Sequence, residues 1–553
     1  MENQKVLLAI MLSLAILLGY QYFFVPAAPV PEDITVAGKT AGDQAPARDD
    51  QSPGMAPAQI TAGNFLPSPE PAADAGKARD IVVETGLYRA VFTENGGMLK
   101  SFQLKKYRES LAEDSDPMEL VATSPAEGLP LNFSWGVEPG RAGILLYEAD
   151  RERIDLGPSG QTELIMRATL SPGLEIVRTL TFTDQDYRIK LDVSVTNNSA
   201  TPLQGAPYLT MVNRPFSGKA NGYVFTGPAL LIDGALEEVK VDDLEKGSSN
   251  FTGRVNWVAY EDTYFMCGII PEGDQQLTAN FSLSGEDRVT STIAGAADLI
   301  QVGGQQHYGY TAFFGPKELD TLKAVGGGLD RIVNFGWFDV VAKPTLFLLN
   351  FFYGFVGNYG VAIILVTVLI KLLFWPIAQK GMKSMKTMQK LQPKMQKLRE
   401  KYKDDKERQQ QEMMKLYQTY KVNPLGGCLP MVLQIPVFFA LYKVLLQTIE
   451  LRHAPFMLWI NDLAAPDRLF IGFDIPWLGG IPVLTLLMGG SMFLQQKMTP
   501  TTGDPTQAKV MMFLPVIFTF MFLNFASGLV LYWFVNNLLA IGQQYMINRQ
   551  VAD

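Results

Sequence analysis

Apolar positions in this chain follow two different patterns, and the change between them divides the chain. Val6 to Val25, VLLAIMLSLAILLGYQYFFV, runs for roughly 20 residues without a charge, enough to cross a hydrocarbon core. Lys5 is a weak positive flank, and Tyr20 and Tyr22 suit the far interface. An uncleaved anchor over residues 1–25 and a cleaved signal peptide both fit. The length of the run, and the lack of a small-x-small site after its core, favour the anchor. Residues 26–79 then give up large apolar side chains for Pro, Ala, Gly and acids, which predicts a disordered tether.

From Ile81 the period becomes two. IVVETGLYRAVFTENGG reads as strands with a hairpin turn near Asn95-Gly96, and Asn197-Asn198 reads as a second turn of the same scheme. LEIVRTLTFTD, RIKLDVSVTNN, YFMCGII and QLTANFSL are further strands. So many strands without alternating helices predict a large antiparallel β-sandwich domain over residues 80–330. Residues 331–350 carry Trp337, Phe338 and Phe347 among few charges, with Pro344 inside, the pattern of an interfacial amphipathic helix.

Beyond residue 351 the apolar runs lengthen again. Tyr359–Ile377, Cys428–Ile449, Ile481–Gln496, Val510–Phe525 and Gly528–Met546 are five spans of a C-terminal helical bundle over residues 351–550. The last two are joined only by Ala526-Ser527, which predicts a tight helical hairpin. With the N-terminal anchor the count is six, so both termini lie on one side. Residues 380–421 do not span. They form two helical stretches meeting around Asp404-Asp405-Lys406, a second hairpin. Met382, Met385, Leu391, Met395 and Leu398 line one side of its first arm. Met413, Met414, Leu416 and Tyr417 cluster in the other. That Met stripe is either the seam between the arms or an adaptable surface for clients.

Charge orients these pieces. Pro26 to Val340 holds 43 Asp/Glu against 25 Lys/Arg, while Gln379 to Gly426 holds 13 Lys/Arg against 5 Asp/Glu. The Lys/Arg bias places the short basic block, and with it both termini, in the cytoplasm and the acidic sandwich outside. The net charge of -8 speaks against DNA as a partner. The two cysteines, Cys267 and Cys428, fall on opposite sides of a membrane and are expected to stay unpaired. His307 reads as a surface residue rather than a catalyst. Glu237/Glu238 and Asp242/Asp243 read as solvated loop acids. No hydrolase, zinc-protease or nucleotide-binding signature is present, so no enzyme, cofactor or metal is expected.

One charge is out of place. Lys371 lies deep in the Tyr359–Ile377 run, five residues before Pro376. It either snorkels to the cytoplasmic surface or faces a wet cavity. Polar residues at bundle depth (Gln434, Asn524, Asn536, Asn537, Gln543) and the lack of an acid within the spans favour the cavity. An unpaired cation there attracts acidic polypeptide and is of no use to a proton relay. A secondary transporter would also need paired, interrupted spans in its two halves, and these are missing. No small-molecule substrate is expected.

The stretches LQPKMQKLREKYKDDKERQQQEMMKLY, KVNPLGGCLPMVLQIPVFFALY, ELRHAPFMLWINDL, QQKMTPTTGDPTQAKVMMFLPVIFTFMF and SGLVLYWFVNN resemble the YidC/Oxa/Alb family of membrane protein insertases. The form resembled is the Gram-negative one with a large periplasmic domain. The resemblance implies a periplasmic β-supersandwich without a catalytic role, and an inner-membrane core of five helices around a hydrophilic groove. Nascent membrane proteins, the ribosome, the general secretion translocon and anionic phospholipids are the partners it implies. In the groove, Lys371 stands where the family usually has Arg, keeping charge but losing the guanidinium fork. Thr367, Gln434, Pro436, Tyr532 and Trp533 match the other groove positions, Trp533 replacing a Tyr.

Overall fold

The structure, a computed structural model, describes residues 78–112, 114–139, 143–170, 173–216, 224–420, 429–473, 475–476, 478–498 and 505–550. The anchor, nearly all of the tether and Cys428 lie outside the described residues.

Period-two alternation produces pleated strands with one buried face. In Leu174–Thr183 every second side chain is buried, and Arg188–Asn197 repeats the pattern beside it. These strands belong to a nine-stranded sheet in which Gln305–Pro316 joins Arg188–Asn197 to Phe265–Pro271. A five-stranded sheet containing Leu277–Ser284, Arg288–Ala294 and Pro207–Asn213 packs against Val255–Glu261 of the larger sheet. Trp135, Trp257, Tyr260 and Phe281 fill the buried core. Pairing is antiparallel throughout except at Asp80–Glu84, which runs parallel to Arg153–Asp155.

Local details agree with the sequence reading at one turn and depart from it in two places. The Asn95-Gly96 turn does join strands, Tyr88–Thr93 and Leu99–Arg108, through Gly96 and Gly97 at φ 75° and 59°. Asn197-Asn198 makes no such hairpin, because the next strand, Leu203–Gly205, pairs with Asp298–Ile300. The buried Asn197 side chain instead donates to the Thr201 and Ile300 carbonyls and accepts from Ser199. Glu237 and Glu238 end a strand, Ala235–Glu238, rather than lying in a loop, although both are exposed. Cys267 is buried and unpaired, with Asn213 donating to its sulfur, and burial pushes the thiol up. His307 is exposed on Gln305–Pro316 opposite Ser194.

Helices take over after the sandwich. They are α1 (Leu319–Val325), α2 (Asp339–Val356), α3 (Tyr359–Lys401), α4 (Lys406–Thr419), α5 (Leu429–Gln447), α6 (Val483–Met498), α7 (Pro505–Met521) and α8 (Ser527–Gln550). Each apolar run read as a span within the described residues is helical. Asn358 caps α3, accepting from the Val361 amide at 3.1 Å. α3 is one helix of 43 residues, so the run read as a span and the first arm of the basic block are continuous. Asp405 caps α4 by accepting from the Arg408 amide at 3.0 Å. Met388, Leu391 and Met395 of α3 are buried against Met413, Leu416 and Tyr417 of α4. Met382 and Met385 stay outside this cluster, and Met414 is exposed.

Bundle packing also corrects one expectation. α7 and α8, though joined by a short 3-10 turn at Phe522–Asn524, do not form a closely packed pair along their lengths. α8 lies against α6 and α3, and α7 lies against α6. A Cβ at Gly489 of α6 would stand 2.1 Å from Thr519 Oγ1 of α7, so glycine permits that approach. Where the sandwich meets the bundle, the Arg452 guanidinium lies 5.3 Å over the Phe265 ring and donates to the Glu109 carbonyl at 3.0 Å.

Candidate functional site

Lys371 projects from the fourth turn of α3 toward α8 and is half-buried. Its Nζ donates to Asn536 Oδ1 at 3.3 Å. Among the described residues it makes no ion pair, so the cation is held by a neutral amide alone. One turn further along α3, the Trp375 carbonyl accepts from Gln543 Nε2 at 3.4 Å. On α8, Tyr532, Asn536 and Gln543 fall within about 40° of one another at 100° per residue. The Tyr532 hydroxyl is hydrogen-bonded to Gln434 of α5. A line of polar groups therefore follows one face of α8 and meets α3 at Lys371. Gln543 Oε1, buried, has no partner along it.

Of the six residues singled out in the sequence, three join this line: Lys371, Gln434 and Tyr532. The other three lie elsewhere. Thr367 is 1% exposed, and its hydroxyl donates back to the Ile363 carbonyl at 2.7 Å within its own helix. Trp533 points to the adjacent side of α8 and packs on Phe438 at 4.7 Å, Phe522 at 5.1 Å and Phe518 at 6.1 Å. Pro436 is exposed beside Ile435 and Phe439, on an apolar side of α5. Tyr532 is itself only 2% exposed, so its ring is packed.

Asn536 and Gln543 were present in the sequence only as polar residues at depth. Their spacing from Tyr532 was the available signal, since offsets of four and eleven return to one helix face. Asn537 illustrates the contrast. It is buried, and its amide donates to Ser491 Oγ of α6 at 3.1 Å, tying two helices together.

A β-sandwich domain joined to a bundle of apolar helices, with a half-buried lysine in that bundle whose hydrogen-bond partner is a neutral amide, fits the class of membrane proteins that carry a large sandwich domain. Residues 351–553 match the family model of the 60Kd inner membrane protein, and residues 80–348 match that of the YidC periplasmic domain. A membrane protein insertase YidC of Syntrophus aciditrophicus is 44% identical over 99% of this chain and 100% of its own length. Another, of Pelobacter propionicus, is 41% identical over the whole of both chains. A solved structure of an active YidC insertase with its first transmembrane domain resolved is 20% identical, covers 84% of this chain and 92% of its own, and has a TM-score of 0.36. A galactose mutarotase-like protein of Lactobacillus casei is 10% identical over 42% of this chain and 99% of its own, with a TM-score of 0.31. The chain belongs to the YidC family: it is an inner-membrane protein insertase that acts on nascent membrane proteins, and not an enzyme.

Proposed function

We propose that the polar line at Lys371 is where a client's hydrophilic flank is received during insertion. The observation that carries this reading is a half-buried cation whose hydrogen-bond partner is an uncharged amide. In hydrocarbon each unsatisfied polar group of a crossing flank costs several kcal/mol. Burying the client's apolar segment returns about 0.8 kcal/mol per CH₂, so the end state is downhill and the barrier is the problem. A hydrated cation part-way across lowers that barrier for an acidic flank, and no nucleotide hydrolysis is needed.

In this reading the α3–α4 hairpin, residues 380–421, lies in the cytoplasm with both termini. It meets the ribosome and anionic phospholipid through its lysines. The sandwich of residues 80–330 is periplasmic, and α2 lies at the outer interface with Phe347 and Phe355 toward lipid. Five spans over residues 351–550, with an anchor over residues 1–25, form the membrane part. Thr367, Gln434, Pro436, Tyr532 and Trp533 line the client's path when the helices part, and the general secretion translocon is a partner for larger clients.

The test is insertion of acidic-tailed clients by proteoliposomes. Lys371→Ala should slow it on the order of tenfold and Lys371→Arg should retain it, as expected of a charge effect. Equal insertion by the alanine variant would sink the reading.

A further inference from the structure

Lys371 carries a flexible four-carbon stem, and a lysine near the end of a span ordinarily extends its ammonium toward the nearest water. Here the ammonium is drawn sideways, across the α3–α8 contact, to Asn536. We propose that Asn536 is a positioning residue for client capture: its amide oxygen holds the Lys371 ammonium on the polar face of α8 while leaving it open to a client carboxylate. The inference rests on the reading of Lys371 given above and deepens it.

The residue type matters. An ammonium has three donors, and one amide oxygen engages one of them, so two remain for an incoming carboxylate. An aspartate at the same place would pair with the cation and neutralise it before any client arrived. An apolar residue would leave nothing to oppose extension toward the cytoplasm. Asparagine is short, carries no charge and accepts a hydrogen bond, which meets both requirements. Its register is also suitable: Asn536 is one turn from Tyr532 and on the same face, so the cation is held where the polar line of Gln434 and Tyr532 continues.

Asn537 supplies an internal comparison. The adjacent residue sits about 100° further round the helix. Its amide is spent on Ser491, within a buried contact between α6 and α8. Asn537 therefore holds helices together, whereas Asn536 holds a charge.

The experiment compares insertion rates in proteoliposomes of the full-length chain for one client made with an acidic or a neutral flank. The readout is the ratio of the two rates. Asn536→Asp should lower the ratio on the order of tenfold, matching Lys371→Ala. Asn536→Gln, which keeps the acceptor, should restore most of it. Asn536→Leu added to Lys371→Ala should lower the ratio no further than Lys371→Ala alone. Asn537→Leu should slow both flanks alike and leave the ratio in place. An unchanged ratio in Asn536→Asp overturns the inference, whether both rates persist or both fall together, because a structural role affects the two flanks equally. If Lys371→Ala also leaves the ratio unchanged, the underlying reading of the cation fails. If Lys371→Ala lowers it and Asn536→Asp does not, only the inference about Asn536 fails.

Discussion

Arg178 is a fully buried guanidinium that pairs with no carboxylate among the described residues. Its Nη1 donates to the carbonyls of Gly96 and Gly97 at 2.9 and 2.8 Å, and its Nη2 to that of Leu131 at 2.8 Å. The Tyr147 ring lies 5.5 Å away. One side chain thus satisfies three carbonyls from a glycine turn and from Leu131, a non-glycine residue at φ 66°. Replacing Arg178 by Met keeps the length and orphans all three acceptors, so the sandwich should lose about 3 kcal/mol or more. Chemical unfolding of the solubilised full-length chain, followed by near-UV dichroism, measures this. The inward direction of Arg178 was legible, since it shares a parity with Leu174, Ile176, Leu180 and Phe182. Its acceptors were not, because they lie 47 to 82 residues earlier and no local pattern joins them. Lys371 repeats the lesson in the membrane. A lone cation in an apolar run announces itself, whereas the residue that holds it, 165 positions later, does not.

Among the elements, period and length spoke clearly and contacts did not. Five apolar runs and a basic block were enough to predict α3 to α8. The seam between α3 and α4 was legible as a Met and Leu stripe, yet Met388 belongs to it and Met382 does not, because helical spacing locates a face and not where the partner arm ends. The short link between α7 and α8 suggested a close pair. Chain connectivity fixes which ends are near, but packing along a helix follows side-chain size, and the glycine that allows close approach lies on α6. Adjacent glycines test this. Gly489→Val should force α6 from α7 and cost about 1–3 kcal/mol, as overpacking does. Gly490→Ala, with nothing within 4 Å of the added Cβ, should be close to neutral. Thermal inactivation of the two variants in detergent separates them.

For the whole molecule, the question is how a soluble-type sandwich is held to a membrane bundle. Arg452, in the loop after α5, crosses that boundary to Phe265 and the Glu109 carbonyl and lies 5.9 Å from the Tyr264 ring. A cation over aromatic faces in a partly buried setting contributes about 0.5–2 kcal/mol. Arg452→Ala should therefore raise amide exchange around residues 107–110 and 264–266 while leaving the sandwich's own unfolding midpoint unchanged. A midpoint that falls with the exchange would mean that Arg452 supports the sandwich itself and not its attachment. Arg452 stood in the sequence only as one letter of the stretch ELRHAPFMLWINDL, since an arginine in an exposed-looking loop carries no signature of the surface it reaches.

The length of α3 raises a mechanical issue. A stiff rod reaching about 45 Å past Lys371, at 1.5 Å per residue, would wrench the ammonium from its seat whenever the outer arm was tugged. Pro376 interrupts that rod just beyond the seat, where its missing amide hydrogen leaves the Leu372 carbonyl without its usual helical donor. A second proline, Pro393, lies further out on the same helix, so bending is expected at two points and the first of them falls just below the charge, as a universal joint isolates an instrument from a moving mast. Pro376→Ala should weld the two lengths together. Spin labels near residue 371 and on the arm between Pro376 and Pro393 should move independently in the natural protein and in concert in the variant.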